Sequence, residues 1–115
     1  MLRVEIGGLP PSLNQWLSGT HWRTKAREKK EWEATFHWAF VAAKLPKPLK
    51  WPVTLDVTQF SKRIRDCDNA VIAAKFAGDA LVAGGWLPND TPEYIACVIL
   101  RSAKGKENKT VILIQ

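Results

Sequence analysis

A run of basic residues that leads directly into two carboxylates is the part of this chain best suited to chemistry. It reads Lys62-Arg63-Ile64-Arg65-Asp66-Cys67-Asp68-Asn69. In an extended chain, alternate side chains lie on the same face, so Asp66 and Asp68 would point together and Cys67, as a buried thiol, away from them. Two converging carboxylates suit a hard cation such as Mg²⁺ or Mn²⁺. The alternative is that these aspartates cap a helix.

Basic residues flank the acidic pair and recur upstream of it. Lys62, Arg63 and Arg65 suit the phosphates of a nucleic-acid backbone. A second cluster lies between positions 23 and 30 and includes Arg23, Lys25 and Arg27. The formal net charge of +6 and a pI near 9.6 agree with a polyanionic partner. A hydrophobic content of 46% argues against intrinsic disorder.

Hydrophobic periodicity predicts the elements that must position these residues. The predicted order is β-α-β-α-β-β, with strands at Leu2–Ile6, Val53–Phe60, Glu93–Arg101 and Lys109–Gln115 and helices at Thr24–Lys44 and Asn69–Ala83. The stretch from Gly7 to Arg23 is predicted to be a loop, and the last two strands are predicted to pair like a hairpin. We therefore expect one α+β domain over residues 1–115, with two helices packed on a small mixed β-sheet.

The second predicted helix extends the acidic site along one face. At 100° per residue, Ile72, Lys75 and Asp79 fall on the same stripe as Asp68. A lysine so close to the carboxylates could hold a phosphate or stabilise a developing oxyanion. The alternative is that Lys75 forms a surface ion pair with Asp79 at i, i+4.

A third carboxylate, Asp90, follows the turn that ends this helix, where Gly84-Gly85 is typical of a helix C-cap. If the next strand lies beside Val53–Phe60, the chain can bring Asp90 back to the mouth of the site that Asp66 and Asp68 would form. Three aspartates could bind one or two divalent cations, which a nuclease needs to activate water and to neutralise the leaving oxygen.

Other chemistries find little support in the sequence. His21 and His37 have no zinc-ligand partners at suitable spacing, and nucleotide-binding and serine-hydrolase motifs are missing. Two cysteines, with no signal-peptide or membrane-spanning pattern, predict a cytoplasmic protein. Of the six tryptophans, Trp16 and Trp22 lie nearest the basic cluster, where they could stack on nucleic-acid bases or be structural.

Four stretches of the chain together resemble the RusA family of Holliday-junction resolvases. They are Pro10-Pro11-Ser12-Leu13-Asn14, Arg65-Asp66-Cys67-Asp68-Asn69, Asp79-Ala80-Leu81 and Gly85-Trp86-Leu87-Pro88-Asn89-Asp90. The resemblance implies a homodimer that nicks two opposing strands of a four-way DNA junction, using Mg²⁺ or Mn²⁺, in DNA recombination and repair.

Carried over residue by residue, the resemblance assigns catalysis and metal binding to Asp66, Asp68 and Asp90. It adds Asn14 to the basic residues that contact DNA. One position departs from the family pattern: the family's functional lysine falls where this chain has Ile72, and Lys75 is the nearest candidate. Two other functions stay open, namely a non-catalytic basic DNA-binding module and an RNA-binding protein with a tryptophan-rich loop.

Overall fold

A computed structural model of the protein describes residues 1–18 and 21–115. The elements within them are β1 (Leu2–Gly7), α1 (Leu13–Leu17), α2 (Trp22–Ala42), β2 (Val53–Ser61), a 3₁₀ turn (Cys67–Ala70), α3 (Val71–Ala83), β3 (Ile95–Lys104) and β4 (Lys109–Ile114). The α+β class and the predicted element order are confirmed, with one helix added. The radius of gyration is 13.6 Å, and about 13 Å is expected for one compact domain of this length.

The added helix is α1, which lies inside the stretch predicted to be a loop. Ser12 is its N-cap: the Ser12 hydroxyl accepts from the Gln15 N–H at 3.2 Å, and the Gln15 side chain accepts from the Ser12 N–H at 2.9 Å. This reciprocal pair is a capping box, and its Ser-x-x-Gln spacing was visible in the sequence. Residues 19 and 20 of the predicted loop lie outside the described residues.

The four strands form one mixed sheet in the order β1-β4-β2-β3. β4 is antiparallel to both β1 and β2, whereas β3 is parallel to β2. The predicted hairpin between the last two strands is therefore wrong, because β2 lies between them. The link from β3 to β4 crosses the end of β2, where the Gly105 N–H donates to the Ser61 carbonyl at 2.9 Å.

The core lies between the sheet and helices α2 and α3. Phe36 and Phe40 of α2 are fully buried, on the face predicted from their spacing. α3 is buried on most of its surface because alanine and glycine occupy many of its positions, which lets it pack closely against both α2 and the sheet. Replacing Phe40 with alanine should cost about 3–5 kcal/mol, the range for deleting a buried aromatic ring.

The end of α3 determines where the following link begins. Gly84 is the C-cap, and a Cβ at this position would lie 2.1 Å from the Trp86 ring. Gly85 has a φ of +80°, the left-handed conformation that favours glycine. Trp86 is buried against Phe40 and His37, at centroid distances of 5.6 and 5.2 Å. The predicted glycine cap is confirmed, and Trp86 anchors the link that carries Asp90.

The sheet face opposite the core carries charges that are paired with one another. Glu5 lies 3.0 Å from Arg3 and 3.4 Å from Lys109. These two cations, Lys109 above all, hold the pKa of the Glu5 carboxyl below its usual range. Asp56 is buried and accepts from Arg101 Nε through both oxygens, at 2.9 and 3.1 Å. Charge on this face is thus largely neutralised within the protein.

Within residues 1–18 and 21–115, no helix has the length and apolar composition needed to cross a bilayer.

Candidate functional site

The acidic turn, defined as Asp66 to Asn69, lies between β2 and α3. Asp66 has an extended backbone, with φ −65° and ψ 142°, but the 3₁₀ turn begins at the next residue. The prediction of an extended Asp66–Asp68 segment is therefore wrong after Asp66, since a 3₁₀ helix has three residues per turn rather than two. The Cys67 side chain is exposed and not the buried thiol expected. Asp66 and Asp68 are both exposed.

Asp66 occupies the N-cap position of the turn, yet its side chain makes no capping hydrogen bond. Instead its backbone carbonyl accepts from the N–H of Asn69 at 3.1 Å and from the Asn69 side-chain amide at 3.0 Å. The turn is held by Asn69, and the carboxylate oxygens of Asp66 are left for another partner. This geometry does not support the alternative in which the Asp66 side chain caps the helix.

Contacts from the sheet and from α1 hold the acidic turn in place. The Arg65 N–H donates to the Ser102 hydroxyl of β3 at 3.2 Å, and the Ser61 hydroxyl donates to the Arg63 carbonyl. α1 packs against both the 3₁₀ turn and α3. Trp16 of α1 contributes a T-shaped contact with Phe76 at 5.3 Å. Asn14, exposed on α1, is thus carried by an element that adjoins the acidic turn.

The predicted DNA-binding cations are not neutralised by the protein. In the described part of the chain, no salt bridge forms at any of Arg23, Lys25, Arg27, Lys62, Arg63 and Arg65. The same six salt bridges include no contact to Asp66 or Asp68, although the basic loop (Lys62 to Arg65) is adjacent in sequence. Positive and negative side chains are therefore presented side by side without pairing.

Lys75 and Asp90 line one cavity of about 360 Å³ between α3 and β3. Its other lining residues are apolar or glycine: Leu55, Val71, Ala74, Gly78, Ile95, Val98 and Leu100. Lys75 Nζ lies 3.9 Å from Asp79 Oδ2, so the predicted ion pair is present, but the Lys75 side chain is still 61% exposed. Asp79 also lies 3.4 Å from Lys29. Lys75 is thus free to reach a ligand at the cavity mouth.

The predicted convergence of all three aspartates is not seen. β3 does lie beside β2, as expected, but the two strands are parallel. Asp66 follows the end of β2 and Asp90 precedes the start of β3, so the two depart from opposite ends of the strand pair. Among residues 1–18 and 21–115, no three His, Cys, Asp or Glu side chains are arranged to hold a metal ion.

The predicted stripe from Asp68 to Asp79 is interrupted as well. The 3₁₀ turn breaks the 100° periodicity before α3 begins. Ile72 is buried in the core, whereas Lys75 is exposed. Lys75 therefore does not share the surroundings of position 72, and its approach to a ligand is from the side of Asp90.

The acidic turn alone is compatible with Mg²⁺. This ion keeps several waters and is usually bound by one or two carboxylates together with substrate phosphates, not by a complete protein cage. Asp66 and Asp68 offer two exposed, unpaired carboxylates. A phosphate backbone bound by the basic loop would supply the remaining ligands.

Sequence reasoning missed some of the residues that build this site. Asn69 was read as part of the motif, but its bond to the Asp66 carbonyl depends on the 3₁₀ turn. Ser102, which accepts the hydrogen bond from the Arg65 N–H, lies 37 positions further along the chain. No local sequence pattern predicts such a contact.

A scan against models of known protein families found no match, and a search of curated proteins found no similar sequence.

Proposed function

We propose that the protein is a metal-dependent endonuclease of branched DNA that resolves four-way junctions as a homodimer. One observation carries the proposal: two exposed carboxylates in the acidic turn directly follow three cations of the basic loop, and the two groups do not pair. A nuclease needs both charges available at once, anionic groups for the metal and cationic groups for phosphate.

The absence of pairing leaves both groups of charges available to outside partners. Opposite charges that are close in sequence do form surface ion pairs at Arg3–Glu5 and Lys29–Glu33, although each such pair is worth under about 1 kcal/mol. The acidic turn and the basic loop are adjacent in sequence and form no such pair, which supports external partners of opposite sign for each of them.

Each proposed residue has a distinct task. Lys62, Arg63 and Arg65 would bind phosphates beside the cleavage point, with Asn14 of α1 close by, while Arg23, Lys25 and Arg27 would bind phosphates elsewhere on the junction. Asp66 and Asp68 would bind the cation, and Asp90 would approach from the cavity together with Lys75. Mg²⁺ or Mn²⁺, when bound, supplies a Lewis acid that activates water and neutralises the leaving oxygen.

Lys75 would contact a non-bridging oxygen of the phosphate under attack. Its side chain is 61% exposed and lines the cavity together with apolar residues of α3 and β3. A cation close to developing negative charge stabilises the transition state more than the ground state. The homodimer follows from the substrate, because a four-way junction has two equivalent scissile strands that a two-fold axis can match.

A second function, a non-catalytic DNA-binding module, is favoured by one observation. The part of the chain that the structure describes has no three-residue metal-ligand group, and a module that only binds phosphates needs none. The basic loop and the cluster at the start of α2 would act in the same way in both functions. The two proposals differ only in whether a strand is cut.

A cleavage assay on a synthetic four-way junction with each strand labelled in turn distinguishes them. We expect paired nicks on two opposing strands in Mg²⁺ or Mn²⁺, and none in EDTA. Asp68→Asn should abolish nicking, whereas Glu93→Gln, which removes an exposed carboxylate outside the acidic turn, should not. If the parent protein binds the junction but cuts no branched DNA in either metal, the binding module is the correct function.

A further inference from the structure

Trp22, the first residue of α2, has a largely exposed ring, although tryptophan is one of the largest apolar side chains. It is 67% exposed. With Arg23, Ala26, Arg27 and Lys30 it lines a shallow groove of about 310 Å³, which we call the Trp22 groove. By contrast, Trp86 is buried in the core. An exposed aromatic ring set among cations is typical of a surface that binds a partner.

The helix gives the groove a regular shape. Residues four apart lie on one face, so Ala26 lies between Trp22 and Lys30, and its small side chain leaves the middle of the groove open. The Trp22 ring already contacts planar groups on this surface. The guanidinium carbon of Arg23 lies 5.3 Å from the ring centre, and the His21 ring stacks on it at 5.7 Å with an interplanar angle of 26°.

The charge of the groove is positive and unpaired. No salt bridge of the described residues includes Arg23, Arg27 or Lys30. The first turn of α2 contains no acidic residue, although an acidic side chain there would stabilise the helix. An aromatic platform surrounded by three free cations is complementary to a nucleotide, which has a flat base and an anionic phosphate.

We propose that the Trp22 groove binds an unpaired nucleotide of branched DNA, with its base stacked on Trp22 and its phosphates held by Arg23, Arg27 and Lys30. The inference rests on the proposed function, since it assumes a DNA substrate. Every base has a π face that can stack on an aromatic side chain without sequence preference. In continuous duplex the faces are covered by neighbouring bases, so an unpaired nucleotide at a branch point is the accessible form.

A base that stacks on Trp22 would replace the His21 or the Arg23 contact. Both of these side chains are exposed, so displacing them leaves the core intact. The displaced Arg23 guanidinium would then bind a phosphate of the same nucleotide. The groove therefore selects branched or partly unpaired DNA over continuous duplex, while the acidic turn selects the bond that is cut.

The same helix provides a matched control in Trp38. It is 66% exposed, almost as exposed as Trp22. Its ring contacts His37 at 5.0 Å, and no lysine or arginine lies within four positions of it in the sequence. Trp38→Ala removes an equally exposed ring of α2 that lacks neighbouring cations, so it reports any general effect of losing a surface tryptophan.

The experiment measures binding by fluorescence anisotropy in EDTA, so that no strand is cut. The probes are a linear duplex and a four-way junction with two unpaired thymines at the branch point. For the junction with unpaired thymines, Trp22→Ala should weaken binding about 5- to 150-fold, the range for losing one base–aromatic stack. Trp22→Phe should retain part of the affinity. Duplex binding should be unchanged in both variants, and Trp38→Ala should behave like the parent.

The salt dependence separates stacking from charge. Trp22→Ala should leave the slope of log affinity against log salt unchanged, whereas Arg27→Ala should reduce it by about 0.7–0.9. Equal losses for duplex and unpaired DNA, or no loss with Trp22→Ala, would overturn the inference. If Trp22→Ala gives either of those results while the parent protein nicks junctions, the proposed function is retained and only the role of the Trp22 groove is refuted. A parent protein that binds no DNA refutes both.

Discussion

The side chain and the backbone N–H of Asn69 both donate to the backbone carbonyl of Asp66, at 3.0 and 3.1 Å. This double contact closes the acidic turn through main-chain atoms of Asp66, so the carboxylate is not used to hold its own loop. The asparagine at position 69 thus has a structural explanation: its side-chain amide can donate a hydrogen bond, whereas the carboxylate of an aspartate cannot.

Asn69→Ala should lower activity by loosening the turn. It removes the side-chain bond and keeps the backbone bond, so the loss should be of the order of one net hydrogen bond, about 0.5–1.5 kcal/mol. We expect single-turnover cleavage to slow about 2- to 13-fold, with junction affinity in EDTA unchanged. Asn69→Asp should be no better, because its carboxylate cannot donate. An Asn69→Ala protein that cuts at the parent rate would show that the hydrogen bond from the Asn69 side chain has no catalytic importance.

The three aspartates should separate binding from cutting. Asp66→Asn, Asp68→Asn and Asp90→Asn each keep the side-chain shape and remove a charge. We expect at least about a 100-fold loss of cleavage for each, or roughly 2.7 kcal/mol. Binding without metal should be kept or strengthened, since one anion facing the phosphates is gone. Ca²⁺ should support binding but little cleavage, because its coordination is looser than that of Mg²⁺.

Asp90 is the informative member of this series, because the structure does not group it with Asp66 and Asp68. If Asp90→Asn cuts as fast as the parent while the other two variants are inactive, the site contains two carboxylates. If all three variants cut normally, the acidic turn is not an active site.

Lys75 can be tested against Lys29, since both lysines lie close to Asp79 Oδ2, at 3.9 and 3.4 Å. Lys75 alone lines the cavity with Asp90. Lys75→Met should reduce the cleavage rate about 100-fold, the order found when a donor to transition-state charge is removed. Lys29→Met should be nearly as active as the parent. Similar small effects for the two variants would leave Lys75 with only its ion pair.

The basic loop should give junction binding a steep salt dependence. Each phosphate contact contributes about 0.9 to the slope of log affinity against log salt. Arg63→Ala should therefore lower the slope by about this amount. Lys50→Ala is the control, because Lys50 is exposed and precedes the start of β2, whereas the basic loop follows the end of that strand. An unchanged slope for Arg63→Ala would exclude Arg63 from the DNA contact surface.

The protein should be a dimer at the concentrations at which it makes paired nicks in one junction. Light scattering at micromolar protein should give twice the mass of the chain, which is 12.9 kDa. The two nicks of one junction should appear within the lifetime of a single complex. A monomer mass together with intact paired cleavage would contradict the dimer.

Local patterns predicted the elements well and their long-range arrangement less well. Features that depend on neighbours within one or two turns could be predicted from the sequence: the stripe of Phe36 and Phe40, the alternation in β2 and the Gly84-Gly85 cap. The position of β4 between β1 and β2 could not be predicted, since strand order depends on which sheet edges are free when the strand pairs. The capping box at Ser12 is also local and could have been predicted.

The same distinction applies to the site. Asp66 and Asp68 are close in sequence, so their shared loop was predictable, although its 3₁₀ conformation was not. The position of Asp90 depends on the path of the link from α3 to β3, which places it in the cavity with Lys75 but not in a three-carboxylate group with Asp66 and Asp68. The sequence places Trp22 next to the basic cluster, but it does the same for Trp16. Only the structure shows that the Trp22 ring is exposed whereas the Trp16 ring packs on Phe76.

The insertion of β4 into the sheet has a consequence for the order of folding. β1 joins the sheet through β4, with pairs as distant in sequence as Leu2 and Ile114. Contacts of such separation form late, because closing a long loop loses entropy before the pairing compensates. The Gly105 contact that covers the end of β2 depends on the same step. A chain still emerging from the ribosome would therefore have α3 formed well before β1 is paired, and the sheet would be completed last.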